Sequence, residues 1–193
     1  MERETRPAAQ VESMLGAAVH VDVGTMVVQR AMRLAGLDEK GDVRYGDACS
    51  GVGTVAAAVD RVTAGRMKYV FAAENDKDKR DVLMEAWEGR GLKRGRMYWD
   101  ACDTVKMMRA PKVDIYALTA NCKAFSRMAN MTPDEKRVNG TKEECAQSAI
   151  ADVRAMLAYV EAQAPQVVII ESVSELLEGH AAQWGDQIKI HAR

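Results

Sequence analysis

Aromatic residues are scarce in this chain: three Trp, five Tyr and two Phe among 193 residues, or 5%. With 12 Met beside them, the expected core is aliphatic and somewhat deformable. Histidine is as rare, at three, and the four cysteines (Cys49, Cys102, Cys122, Cys145) lie far apart with no CxxC pair. That spacing argues against a structural zinc, and no metal is expected. Charge of one sign is missing too: 27 Lys+Arg face 28 Asp+Glu for a net −1. The chain as a whole therefore exerts no pull on nucleic acid, and any such contact needs a local basic groove. No apolar stretch approaches the ~20 residues that span a bilayer. The charged start Met1-Glu2-Arg3-Glu4 does not resemble a secretory signal. The expectation is a soluble protein with reduced thiols, in the cytoplasm or nucleus. Its length suits one domain with a proper core.

What is present is an alternation of strand and helix patterns. Val28, Met32 and Ala35 recur at helical spacing and end at Gly36. A strand is expected at 43–47, a glycine-containing turn at 48–53 and an Ala/Val-rich helix at 54–62. A second strand at 69–73 ends at Glu74. The charged amphipathic helix after it carries Val82, Leu83, Ala86 and Trp87 on one face. A basic loop over 89–95, with Arg90, Lys93, Arg94 and Arg96 as the densest basic patch, reads as a solvated loop. A weak third strand ends at Asp100, and 113–118 forms the fourth. A helix follows, with Ala149, Val153, Met156, Leu157 and Val160 on its apolar face, and stops before Pro165. The fifth strand is 167–170. Such alternation predicts an α/β fold with a mostly parallel sheet and helices on both faces.

Chemistry concentrates where these strands end, because open α/β sheets hold ligands beyond the carboxyl ends of their strands. Asp47-Ala48-Cys49-Ser50-Gly51-Val52-Gly53 follows a strand and opens a helix. Its glycines allow close backbone approach, and the helix N-terminus favours a negative group. Glu74, about 20 residues on, is placed to accept hydrogen bonds from ribose hydroxyls. Cys122 sits just past the fourth strand in a polar loop, where a thiolate can be exposed and activated. Glu171 ends the fifth strand. One thiol and one carboxylate at adjacent strand ends form a catalytic pair.

These segments together resemble the N-terminal half of a cytosine carbon-5 DNA methyltransferase. Asp47–Gly53 is similar to that family's methyl-donor turn and Glu74-Asn75-Asp76 to its ribose-binding strand end. Asn121-Cys122-Lys123-Ala124-Phe125-Ser126 resembles its Pro-Cys-Gln-x-Phe-Ser loop, and Glu171-Ser172-Val173 its Glu-Asn-Val. Order and approximate spacing agree over about residues 43–178, and the nucleophile loop is the most specific element. The resemblance implies a Rossmann-like S-adenosylmethionine-dependent methyltransferase domain over 41–193, incomplete on its C-terminal side and lacking target recognition. A helical extension over 1–40 precedes it. It implies catalytic roles for Cys122, attacking cytosine carbon 6 on a flipped base, for Glu171, holding the base edge, and for Ser126, organising the loop. It implies donor contacts from Asp47, Ser50, Gly51, Gly53, Glu74, Asn75, Asp100 and Phe125, with Asp103 the alternative to Asp100. The implied partners are DNA, or RNA by the same chemistry, and a second polypeptide completing the sheet.

The departures bear on that expectation. Asn121 replaces the loop proline, Lys123 the glutamine and Ser172 the asparagine, and the first and last of these are expected to compensate for each other. Cys49 and Asn75 stand where the family packs apolar residues on adenine, a loss of roughly 1–3 kcal/mol of contact. After Leu177 no arginine-bearing catalytic segment follows in these 193 residues. A non-catalytic, donor- or partner-binding relative therefore stands as the second reading.

Overall fold

The structure, a computed structural model, describes residues 20–39, 41–120 and 142–172, with side chains from 147 onward in its last helix. It opens with helix α1 (Val21–Leu34), whose Val28 and Met32 are buried. The helix begins four residues before the expected position of 25, because Val21 also packs against the core. The chain then alternates: β1 (Val43–Ala48), α2 (Thr54–Val62), β2 (Met67–Ala73), α3 (Lys77–Trp87), β3 (Met97–Tyr98), α4 (Thr104–Met108), β4 (Ile115–Thr119), α5 (Lys142–Gln163) and β5 (Val167–Glu171). Strands pair in the order β3-β2-β1-β4-β5, every pair parallel. All five strands therefore end on the same edge of the sheet, and the order reverses direction between β1 and β4. The fold is the α/β, parallel-sheet architecture expected from the sequence.

Burial explains why each helix lies where it does. α3 buries Leu83, Met84 and Trp87, so its inner face is rotated from the expected Val82 and Ala86. Asp76 caps its N-terminus, accepting from the amides of Asp78 (2.9 Å) and Lys79 (3.2 Å). The expected basic loop contains two short 3-10 turns, Glu88–Arg90 and Arg94–Arg96. Its Arg90 is held against Asp60 at 3.4 Å and the Gly65 carbonyl at 3.0 Å. α4 was not expected at all. Its five residues are short for any periodic signal, and the cap that starts it is Asp103, which accepts from Lys106 N at 3.0 Å.

The core is mostly aliphatic, as expected, but aromatic rings form a cluster on each face of the sheet. On the face covered by α1, α2 and α3, Tyr45 meets Tyr69 edge-on at 5.1 Å, and Tyr69 meets Trp87 at 5.8 Å. On the face covered by α5, Phe71 is ringed by Tyr98 (5.8 Å), Tyr116 (6.1 Å) and Tyr159 (5.4 Å). Six of the eight described aromatics are placed centrally, where each buries a large area. β5 is one of the two edge strands among the described residues, β3 being the other, and its Val168 and Ile170 are exposed at 37% and 42%.

Gly46 shows how tightly the second cluster is built. It pairs with Phe71 across the β1–β2 ladder, and a Cβ at 46 would lie 2.4 Å from Phe71 Cε1. Phe71 has no room to withdraw, being packed by three tyrosines. Gly46→Ala is expected to cost about 3 kcal/mol through overpacking, read as a lowered urea midpoint. An unchanged midpoint would show that the aromatic cluster yields.

Candidate functional site

The turn after β1 is organised from beneath by one buried carboxylate. Tyr45 and Asp47 lie two residues apart on β1 and so share a face, and Tyr69 is the register partner of Tyr45. Both phenols donate to Asp47, Tyr45 Oη to Oδ2 at 2.8 Å and Tyr69 Oη to Oδ1 at 2.7 Å. Ser50 Oγ donates to Oδ1 at 2.6 Å. Ser50 also ties the turn to β2, its amide donating to the Ala73 carbonyl at 3.0 Å and its Oγ accepting from Ala73 N at 3.2 Å. The side chains of Asp47 and Ser50 are thus turned into the protein, where they shape the turn.

Burial lifts the Asp47 pKa from 3.8 to about 6, against the pull of its three hydroxyl donors. Its partners respond in kind: burial and the neighbouring Asp47 carboxylate hold both phenols well above the ordinary tyrosine range.

The second acid of the turn is Glu74, only 5% exposed. Its Oε2 accepts from Gly51 N at 2.8 Å and its Oε1 from Asp76 N at 2.9 Å. It clamps the glycine turn to the end of β2, leaving lone pairs on both oxygens. Gly51 and Gly53 have φ of +57° and +85°, conformations that L side chains adopt at a cost. A Cβ at Gly53 would meet Trp87 Nε1 at 2.6 Å, whereas one at Gly51 would meet nothing within 4 Å. The space above Gly51 is open, and it is there that a ligand could approach the turn.

Neighbouring strand ends close around the same place. Asn75 and Asp100 are exposed, and Asp100 Oδ1 accepts from Cys102 N at 2.8 Å. Asp103 is engaged otherwise, capping α4 and pairing with Lys106 Nζ at 2.8 Å, which holds its carboxyl below the usual range. Thr119, at the end of β4, donates its hydroxyl to the Cys49 carbonyl and is the register partner of Glu171. Burial raises the Glu171 pKa above its ordinary value. The glycine turn after β1, the end of β4 and the end of β5 are therefore adjacent along one edge. Cys122, Phe125 and Ser126 lie outside the described residues, as do Asn121 and Lys123.

Two other cysteines enter the site unforeseen. Cys49 adopts φ +53° within the turn, and Cys102 Sγ donates to Asp152 Oδ1 at 3.0 Å. Both are free thiols. Burial, then the Asp152 carboxylate, raises the Cys49 thiol well above its normal value and pushes Cys102 up to about 12. Thiols so held stay protonated and are poor nucleophiles. A separate cavity of about 200 Å³, lined by Gln29, Met32, Arg33, Asp38, Val62 and Arg66, lies toward the opposite ends of the strands. Among the described residues no group of His, Cys, Asp and Glu could hold a metal, and no helix is long and apolar enough to cross a membrane.

No protein-family model matches the sequence, and no curated protein shows significant similarity to it. Among solved structures, the chain is similar to the type I restriction-modification methyltransferase subunit from Streptococcus thermophilus, at 16% identity and TM-score 0.45, over 70% of this chain and 31% of that one. It is similar to the S-adenosylmethionine-bound amino pentose methyltransferase CalS10 from Micromonospora echinaspora, at 14% identity and TM-score 0.47, over 90% and 59%. A third is an S-adenosylmethionine-dependent methyltransferase from Clostridium acetobutylicum, at 13% and 0.46, over 84% and 55%. The chain spans between about a third and three fifths of the length of these proteins. At such identities and TM-scores the neighbours carry no weight in assigning chemistry to this chain.

The Asp47 shift has a measurable sign. Its folded pKa of about 6 exceeds the unfolded value near 3.8, so the folded state keeps a proton that the unfolded state has released. The contribution favours folding below pH ~4, declines as pH rises to ~6 and is flat above, a span of about 3 kcal/mol. Asp47→Asn is expected to gain stability relative to the parent by about that amount between pH ~4 and ~7, whatever the offset at low pH. Parallel stability–pH curves from chemical denaturation would overturn this role.

Proposed function

We propose that this chain is the donor-binding and nucleophile-bearing part of a cytosine carbon-5 methyltransferase acting on nucleic acid. The observation that carries the reading is the junction at Thr119, which binds the Cys49 carbonyl of the donor turn and pairs in register with Glu171. Cys122 is three residues further along, within about 10 Å of chain from that junction. Its two competitors near the turn, Cys49 and Cys102, are held protonated.

The residues fit a sulfonium nucleoside. The open space over Gly51 admits it, Glu74 keeps lone pairs for ribose hydroxyls, and Asp100 stands exposed beyond. When bound, S-adenosylmethionine supplies an electrophilic methyl group. In this reading Cys122 adds as thiolate to carbon 6 of the base, which makes carbon 5 nucleophilic. Glu171, whose pKa is raised by burial, holds a proton at the base edge. Phe125 lines the donor pocket and Ser126 positions the nucleophile loop. Ser172 Oγ is buried with no partner among the described residues, consistent with a pairing toward Asn121. In this reading the edge of β5, unpaired among the described residues, takes a further strand, from a continuation of this protein or from a second polypeptide that reads the target.

The replacements at Asn121 and Ser172 favour one other reading, a relative that binds the donor without transferring methyl. The two separate by trapping. With S-adenosylmethionine present, oligonucleotides carrying 5-fluorocytosine are expected to form a covalent adduct with the parent chain, and Cys122→Ser to form none. DNA and RNA versions identify the acceptor. Donor binding by calorimetry without any adduct would establish the non-catalytic relative, and an adduct persisting in Cys122→Ser would move the nucleophile elsewhere.

A further inference from the structure

Trp99 is the most exposed aromatic among the described residues, at 72%, yet its ring is not loose. The Arg80 guanidinium lies over it, 4.9 Å from the ring centroid. Arg80 is itself fixed, its Nη1 donating to the carbonyls of Glu74 at 2.9 Å and Asn75 at 2.6 Å. The backbone beside the tryptophan is anchored too: Tyr98 O accepts from Glu74 N at 2.9 Å, and Asp100 Oδ1 from Cys102 N at 2.8 Å. One face of the indole is thus backed by a cation pinned to the end of β2, while the side chain remains mostly open to solvent. A large apolar ring held exposed in this way suits a planar partner.

Its place in the fold selects the partner. In parallel α/β sheets an acid that ends the second strand can hold a ribose, and the attached base then lies near a neighbouring strand end. Here that acid is Glu74, and the next strand outward is β3, which pairs with β2 and is followed directly by Trp99 and Asp100. The Glu74–Tyr98 backbone bond and Arg80 tie this acid to the Trp99 segment. The turn itself offers little for a base to pack on, because Cys49 is held by burial near Asp152 and Asn75 is polar. We infer that Trp99, braced by Arg80, is the stacking platform for the adenine ring of the donor, with Asp100 beside it for the exocyclic amine. This rests on the donor reading above.

The test is equilibrium binding of S-adenosylhomocysteine and of adenosine to the full chain, followed by titration and by tryptophan fluorescence. Trp99→Ala is expected to weaken both ligands about tenfold, the scale of a lost base–aromatic stack. Trp99→Phe should stay within about threefold while losing the ligand-induced fluorescence change. Because the ring is exposed, melting temperatures should be unaltered. Parental affinity in Trp99→Ala would overturn the platform and leave the donor reading standing. Failure of the parent chain to bind either nucleoside would remove both. Protection of Trp99 from acrylamide quenching by an oligonucleotide but not by adenosine would reassign the ring to a target base and overturn the inference.

Discussion

A single carboxylate, buried under the turn that follows the first strand, sets the shape of everything near it. Asp47 is 3% exposed and receives three hydroxyl hydrogen bonds, from two strands and from the turn itself. Those donors do not fully offset burial, as the raised pKa shows. A group held at such a cost specifies geometry more than it adds stability. Through Ser50 it fixes the turn against β2, and the fixed turn presents the Gly51 amide to Glu74. Removing the acid would release Tyr45, Tyr69 and Ser50 at once, so the register of β1 on β2 and the course of the turn are parts of one device.

Glu74 extends that device outward. It is the link between an inward-facing network and a surface where ligands can arrive. Its oxygens brace the turn and the first residues of the β2–α3 loop, and its carbonyl helps to pin Arg80. The two acids do different work because their surroundings differ: Asp47 is enclosed by phenols and a hydroxyl, Glu74 by backbone amides. The amide donors leave Glu74 lone pairs for further donors, whereas the three hydroxyls tie Asp47 into the interior.

Much of this was legible in the sequence, for identifiable reasons. Strand–turn–helix order survives in single sequences because buried parallel strands are short apolar runs bounded by polar turns. Fold class, strand order along the chain and the placement of Glu74, Asp100 and Glu171 at or just past strand ends on one edge of the sheet all followed from that. The inward turn of Asp47 was also readable in principle, since Tyr45 and Asp47 share strand parity, but the partner Tyr69 required the register. The aromatic clusters were not readable: a composition of 5% aromatic says nothing of where the rings go. Trp99 passed as the last residue of a weak strand. Its meaning depends on Arg80, 19 residues earlier, which tertiary contact alone brings to it. On α3 the expected Leu83 and Trp87 are buried, Trp87 against Tyr69, while Met84 takes the inner place expected for Val82 and Ala86.

The placement of Trp99 bears on how a turn with so little apolar surface could hold a nucleoside at all. Replacing aromatic packing at Cys49 and Asn75 removes roughly 1–3 kcal/mol of contact. A base stacked on an indole contributes about the same, roughly 1–3 kcal/mol. The two are of one size and opposite sign, so under the proposed reading the donor site need not be weaker than one built the usual way, with its apolar contact at the third strand end and not at the first and second. Such a move constrains the protein elsewhere. A platform on β3 would need the two-residue strand held firmly, and among the described residues β3 pairs only with β2. The Glu74–Tyr98 backbone bond, the Phe71–Tyr98 ring contact and the Arg80 brace all act on that short segment and tie it down at three points.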